Sequence, residues 1–452
     1  MDIFSKPMNY RQFIRYLTPS IMTMVFLSFY TTIDGFFVSR YSGSDALAGI
    51  NIVIPITCIV FGTAVMLATG AGAIIGEHMG REDQKSANEI FSMISLVLLI
   101  LSIAFSIVGI IFLEPISVLL GASEKLMEHV LPYAFVVFAG TIPMAFKLFF
   151  EYMVRTDGHP QIGLKMSLVG LVLNVVLDFL FVGVFRWGTF GAALGTVFSI
   201  GASAVIGLVF FLRYSTIRFC KPKFDWKVLW KSCSNGISEM LTELSTGITT
   251  LLFNLIIIKQ FGEDGVAAVT IIMYIYYFFI AFYMGIAVAT APVVSYNLGA
   301  QNKEKIQETL RYSFITIGVT AVMIMGILFV GGDWIIRLFI NSGHVYELTQ
   351  TALLYFSPLF IFIGINVFMS SYFTALGDGF TSALISSLRS LIFVVAYLFI
   401  LPPIVGNNGI WMTMPTAELS TILISLFCYF KKGRKVILEI PDKKLSAPVL
   451  DR

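Results

Sequence analysis

The residues with the most chemical interest in this chain are acids set inside long apolar runs. Asp34 lies in the run that opens near Ile14, and Asn174 and Asp178 lie four apart in another, hence on one face of a helix. An ionisable group near a bilayer centre costs about 2.5–3.5 kcal/mol on insertion scales, so its presence asks for a reason. At matching depth the two carboxylates would repel, and the repulsion is relieved when one of them holds a proton. With the Asn174 oxygen and a hydroxyl, the same pair can instead coordinate Na⁺ through hard oxygen ligands. Neither Asp has a Lys or Arg within the apolar part of its own run to neutralise it. Hydrogen bonding between helices is the structural alternative.

A second constellation is a polar stripe. Glu239, Glu243, Thr246, Thr250 and Asn254 follow one another at spacings of four, three, four and four. Such a stripe faces a cavity or another helix, not lipid. A cavity-facing carboxylate attracts cations, and aromatic rings nearby add cation–π contacts. Glu243 is the first expected cavity residue, with Glu239 nearer the inner end and Thr246 and Tyr277 beside them. Tyr274, Tyr276 and Tyr283 share the tyrosine-rich run with Tyr277, and packing accounts equally well for at least half of these rings. Two other charged sets read as structural: Lys147 and Glu151, four apart, as an intrahelical pair, and Arg389 with Glu418 as a pair across helices.

The elements that must position these groups are transmembrane helices. The chain is 57% hydrophobic and 13% charged, against about half and a quarter in soluble domains. Apolar segments fall at 14–39, 46–72, 88–113, 129–152, 161–185 and 188–212, then at 234–258, 265–292, 309–331, 349–373, 381–401 and 409–430. Runs of this length match the roughly 30 Å hydrocarbon core, and irregular backbone cannot face lipid, so each is a helix. The first run has no small-residue cleavage site and reads as a span, not a removable signal. Pro19, Pro143 and Pro292 can bend the spans that hold them. Four cysteines without CxxC spacing give no disulfide or zinc framework, and the scattered histidines read as solvated. There is no Walker A motif and no nucleophile–base pair, which disfavours ATP-driven transport and catalysis.

Lys and Arg set the orientation. With the N-terminus inside, twenty-three fall on the inner side and five on the outer, so both termini are expected in the cytoplasm. The chain also repeats. An offset of 219 residues lays Asp45-Ala-Leu-Ala48 on Asp264-Gly-Val-Ala267 and Met79-Gly80 on Leu298-Gly299, and each span of the first half meets one of the second. Tyr152 before Asp157-Gly158 corresponds to Tyr372 before Asp378-Gly379. Six spans per half is an even number, so the halves are parallel repeats with a central cavity between them. The expected organisation is a first lobe over 1–212, a basic linker over 213–233, a second lobe over 234–430 and a tail over 431–452. Two lobes rocking about a central cavity is the geometry of alternating access.

Taken in order, Tyr30-Thr-Thr-Ile-Asp34-Gly-Phe-Phe-Val38, Arg155-Thr-Asp-Gly158 with Pro160, Asn174-Val-Val-Leu-Asp178 and Pro292-Val-Val-Ser-Tyr-Asn-Leu-Gly-Ala300 resemble the multidrug and toxic compound extrusion family over about residues 10–430. The resemblance implies a V-shaped fold of twelve transmembrane helices in two parallel six-helix lobes. It implies an antiporter in the cell membrane that exchanges H⁺ or Na⁺ for small organic, often cationic, drugs, with no other cofactor. Its cation site matches Asp34, Asn174, Asp178 and Thr196, and its second-lobe acidic position matches Glu243 or Glu239. Some members carry a further acid on span ten, where this chain has Asn366, Ser370 and Ser371. A monomer with no nucleic-acid partner is expected. The alternatives are a lipid-linked saccharide flippase and, from another class, an intramembrane enzyme.

Overall fold

With no water to bond to in hydrocarbon, backbone N–H and C=O groups must pair within their own segment, and the chain is helical almost from end to end. The computed structural model describes residues 2–441; side chains at 2–3, 31–32, 34–36, 39 and 44 lie outside the described set. No strand occurs among the described residues.

The first lobe holds spans one (10–42), two (Asp45–Gly80), three (Gln84–Ile111), four (Glu124–Ala139 with Thr141–Thr156), five (Pro160–Val184) and six (Gly188–Arg213). The second holds spans seven (226–261), eight (264–299), nine (Lys303–Arg337), ten (His344–Phe356 with Leu359–Ala375), eleven (Gly379–Val405) and twelve (Gly409–Glu439). Spans four and ten each bend, by 54° and 52°.

The repeat is written into the corners. Spans one and two form a continuous helix broken only at Gly43 (φ 88°), and spans seven and eight one broken only at Gly262 (φ 65°). These glycines stand 219 residues apart, and the left-handed conformation at each is one that a side chain would oppose. The ion pair Lys125 Nζ–Asp45 Oδ2 (2.7 Å) has its counterpart, at the same offset, in His344 Nδ1–Asp264 Oδ2 (2.7 Å). At the face carrying the termini, Asp157 Oδ1 accepts from the backbone of Thr216 just after span six. Asp378 caps span eleven through Thr381 N and accepts from Lys432 Nζ at the end of span twelve.

Several expected boundaries shift. The linker is irregular only from 214 to 225, because Asp225 caps a helix that already begins at Trp226. Its extended part is pinned along span three, with Arg218 N donating to Asn88 Oδ1 and Cys220 N to Ser92 Oγ, both at 2.9 Å. The last helix continues through a π-helical turn, Tyr429–Gly433, to Glu439, so the first nine residues of the expected tail are helical. The bend in span four falls at Gly140, with Pro143 in the first turn that follows, where proline is tolerated. The bend in span ten falls at Ser357–Pro358, which proline counting along the spans missed. All four cysteines are free thiols.

The lobes meet along spans one, two, seven and eight, mostly toward the terminal face. A Cβ on Gly80 would lie 1.9 Å from the Tyr296 carbonyl oxygen, and one on Gly299 1.9 Å from that of Glu77. Residues 77 and 296 are themselves 219 apart, so this contact is symmetric about its own centre. Gly70 against Ser232 O and Gly236 against Met66 O repeat the same 1.9 Å approach on spans two and seven. Backbones this close tolerate only glycine. Phe4, fully buried, closes the underside of the seam: its ring packs on Tyr16 and Tyr296, and Asn297 Nδ2 donates to its carbonyl.

Candidate functional site

Three polar assemblies lie inside the helices. The first sits in the first lobe between spans one, five and six. Asn174 and Asp178 are fully buried on one face of span five, just before its π-helical turn Phe179–Val184. Span six approaches through Gly195, whose Cβ would lie 2.5 Å from Asp178 Oδ1. A glycine there leaves room for the carboxylate against the helix. Thr196 follows, 8% exposed, and Tyr30 of span one donates to or accepts from Ser199 Oγ at 2.7 Å. Asp34 continues span one a turn beyond Tyr30, but its side chain is outside the described residues, so the expected meeting of Asp34 with Asp178 is not described. The neighbours that are described, an amide and three hydroxyls, are oxygen- and N–H-bearing groups of the kind that hold a proton or a hard cation. Among the described residues no group of three His, Cys, Asp or Glu side chains forms a metal cluster.

The second assembly lies between the lobes. A cavity of about 40 Å³ is bounded by Thr69, Tyr152 and Thr156 from the first lobe and by Glu239, Ser295 and Thr374 from the second. A smaller one of about 20 Å³ adjoins it, sharing Glu239 and Ser371 and reaching Ser370, Ser386 and Arg389. Together they have room for only a few waters, far below the roughly 300–1,000 Å³ of a drug-sized pocket. With the glycine seam, the larger makes the narrow base of an interlobe cleft, while the smaller is lined by the second lobe alone.

Glu239 is the member of the span-seven stripe that reaches both cavities. Glu243 lies one turn outward against span two, its Cβ 3.6 Å from the position a Cβ would take on Gly62. The hydroxyls of Thr246 and Thr250 donate back to Thr242 O and Thr246 O on their own helix, at 2.9 and 2.8 Å. Thr250 and Asn254 are exposed, as is Tyr277 at 41%, so the outer stripe opens toward the face opposite the termini. The remaining tyrosines of span eight pack: Tyr283 donates to Phe360 O at 2.6 Å, and Tyr274 stacks on Phe339.

The third assembly comprises buried ion pairs. In span four, Lys147 Nζ meets Glu151 Oε2 at 2.5 Å, as its spacing predicts, and Arg155 Nη2 takes the other oxygen at 2.9 Å. Arg155 is 1% exposed; its own four-residue spacing from Glu151 was the signal for this third member. In the second lobe, Arg389 Nη1 donates to Glu418 Oε1 at 3.1 Å, the pairing the sequence suggests. Asn366 Nδ2 takes Glu418 Oε2 at 2.7 Å, and Ser425 Oγ donates to Asn366 Oδ1 at 2.8 Å. Span ten thus offers an amide to Glu418 where an acid was considered.

The family model MatE matches this chain twice, over residues 19–180 and 239–399, at the spacing of the internal repeat. Multidrug export protein MepA of Staphylococcus aureus (strain NCTC 8325 / PS 47) is 23% identical over 440 residues, 96% of each chain. MepA of Staphylococcus saprophyticus is 22% identical over the same share. Among solved structures, the outward-facing conformation of a multidrug resistance MATE family transporter of the MOP superfamily superposes with a TM-score of 0.88 at 22% identity, covering 94% of this chain and 95% of that one. A MOP superfamily transporter from Pyrococcus furiosus, described as having a binding pocket of reverse polarity, gives 0.86 at 22% identity over the same shares.

Proposed function

The chain belongs to the MatE family, and from that premise we propose that it is a secondary active exporter of small organic, mainly cationic, molecules. It is a transporter and not an enzyme. The observation that carries the reading is the symmetric glycine seam: two duplicated lobes closed at one face, with the carboxylate of Glu239 in the cavity just above the closure. A device of this kind exposes its cavity to one side at a time when the lobes rock about the seam.

On this reading the terminal face is cytoplasmic, in keeping with its share of Lys and Arg, and the protein works as a monomer in the cell membrane. Energy comes from inward H⁺ or Na⁺, worth about 2.3 kcal/mol per charge per 100 mV. The coupling ion is taken up at Asp178 with Asn174, Asp34 and Thr196. Cation and substrate bind different arrangements of the lobes, so each displaces the other. Glu239 and Glu243 hold the positive charge of the substrate, with Thr246 and Tyr277 along the way to the outer opening. The names of the MepA relatives point the same way.

The test is export from inside-out vesicles. A fluorescent organic cation should be taken up only when an ion gradient is imposed, and a labelled lipid-linked saccharide should not be moved. Movement of the saccharide in place of the dye would make the protein a flippase. Turnover with no gradient would remove the secondary-transport reading.

A further inference from the structure

Trp226 and Trp230 are 74% and 77% exposed, a costly state for two large apolar rings four residues apart on one helix. They open span seven, and packing sets the face they share: Val228 and Leu229, between them, turn to the first-lobe core. Lys227 and Lys231 repeat the four-residue spacing one position on, and the linker leading into the helix adds Arg218, Lys221 and Lys223, all exposed. No side chain of these five cations hydrogen-bonds or ion-pairs with a described residue. Asp225 is the one acid between residues 214 and 238, and its carboxylate is occupied by the helix, accepting from Lys227 N at 2.8 Å.

The contacts of this group also fix its depth. The linker is held to the start of span three's apolar segment, 88–113, by Cys220 N to Ser92 Oγ at 2.9 Å and Asp225 N to Met93 Sδ at 3.3 Å. Gly70 lies against Ser232 O and Gly236 against Met66 O. That register sets Trp230 level with residue 72, where the apolar segment of span two ends, and Trp226 one turn, about 6 Å, nearer the terminal face. Both rings therefore stand where hydrocarbon gives way to headgroups, the depth that indoles favour. The 219-residue offset lays Pro7 and Arg11 on these tryptophans and Met8 and Gln12 on Lys227 and Lys231, so the repeated architecture does not require them. We propose that the linker and the first two turns of span seven are a binding site for an anionic phospholipid of the leaflet at the terminal face. The lysines take the phosphate, and the two indoles flank the glycerol and the upper acyl chains. A zwitterionic phospholipid brings an ammonium group to the same cations and is disfavoured.

The experiment uses the full-length protein in vesicles of phosphatidylcholine with a minor share of phosphatidylglycerol. One lipid or the other carries bromine on its acyl chains, a contact quencher of indole fluorescence. Brominated phosphatidylglycerol should quench as a ligand preferred about fivefold over phosphatidylcholine, the attraction of one basic residue near an anionic surface. Trp187, Trp334 and Trp411 fluoresce too, so two variants assign the effect. Trp226→Phe with Trp230→Phe should lose the extra quenching. Lys221→Gln, Lys223→Gln, Lys227→Gln and Lys231→Gln together keep both indoles and should bring the preference to about one. Both variants change exposed side chains only, and their unfolding midpoints should match the wild type. Equal quenching by the two lipids in the wild type, which needs no variant to measure, would overturn the proposal, as would a preference that survives either variant. Loss of the preference when glycerol phosphate replaces chloride at the same ionic strength would also overturn it, since the cations would then serve a soluble anion.

Discussion

In the second lobe, Glu418 is locked between the Arg389 guanidinium and the Asn366 amide; in the first, Asp178 lies against Gly195 beside Asn174, Thr196 and Ser199. The two halves share one fold, yet their buried acids sit among different groups. Removing either member of a buried ion pair leaves an uncompensated charge, which makes Glu418 a structural element. An acid with an amide and hydroxyls beside it carries no fixed cation, so a proton or a hard cation can neutralise it and the neutral neighbours can hydrogen-bond whichever form is present. The comparison teaches that burial alone does not mark a coupling site. On the proposed function, what marks it is the kind of group beside the acid.

The strongest way to break the comparison is to remove one half of the second-lobe pair. Glu418→Gln should destabilise the protein by about 3–5 kcal/mol, seen as a lower unfolding midpoint in detergent, and adding Arg389→Gln should recover much of the loss. A Glu418→Gln protein as stable as the wild type would show the pair to be no lock. The next effect concerns the seam. Gly80→Val and Gly299→Val each place a side chain where a carbonyl oxygen stands 1.9 Å from the Cβ position, and each should cost at least about 1–3 kcal/mol. Because the two contacts are symmetry mates, equal losses are expected, and a loss at only one position would deny the seam its symmetry.

The smallest effect separates the loops at the terminal face. The pKa of His159 is raised by the hydrogen bond its ring donates to the Asp157 carboxylate, against burial. A raised value stabilises the fold below the ordinary value of about 6.5 and is lost as pH rises through the shifted one. For Asp378, burial acts to raise the pKa, but hydrogen bonds from Thr381 and Lys432 outweigh it and hold the carboxyl below its usual range. Its contribution is present above about pH 4 and lost only in stronger acid. Between about pH 6.5 and 8, amide protection factors, corrected for the intrinsic pH dependence of exchange, should therefore fall around residues 157–159 and stay constant around 378–381, and His159→Gln should flatten the first profile.

Much of this architecture was legible in the residues. Apolar length gave the spans, the 219-residue offset gave the two lobes, and helical spacing gave Lys147–Glu151. The offset also relates Gly43 to Gly262, but sequence cannot say that these glycines turn two spans into one kinked helix, because that depends on a single backbone angle at each. Arg155 lies beyond the apolar segment 129–152, and hydropathy does not show its burial, which depends on how span four packs. The order of Glu239 and Glu243 was equally hidden: both lie on one stripe, and only the depth at which the lobes converge puts Glu239 at the cavity and Glu243 against span two. The extra turns of spans seven and twelve follow from an aspartate cap and a π-helical turn, local features that hydropathy does not register.

On the proposed function, Asp178 carries the coupling ion while Glu239 carries the substrate. In proteoliposomes with proton and sodium gradients imposed separately, ion flux and dye flux can be followed together. The account predicts that one gradient drives dye uphill in the wild type, and that Asp178→Asn, still folded and still binding dye, moves dye only downhill and carries no ion with either gradient. Uphill, ion-linked export by Asp178→Asn at the wild-type rate would contradict it.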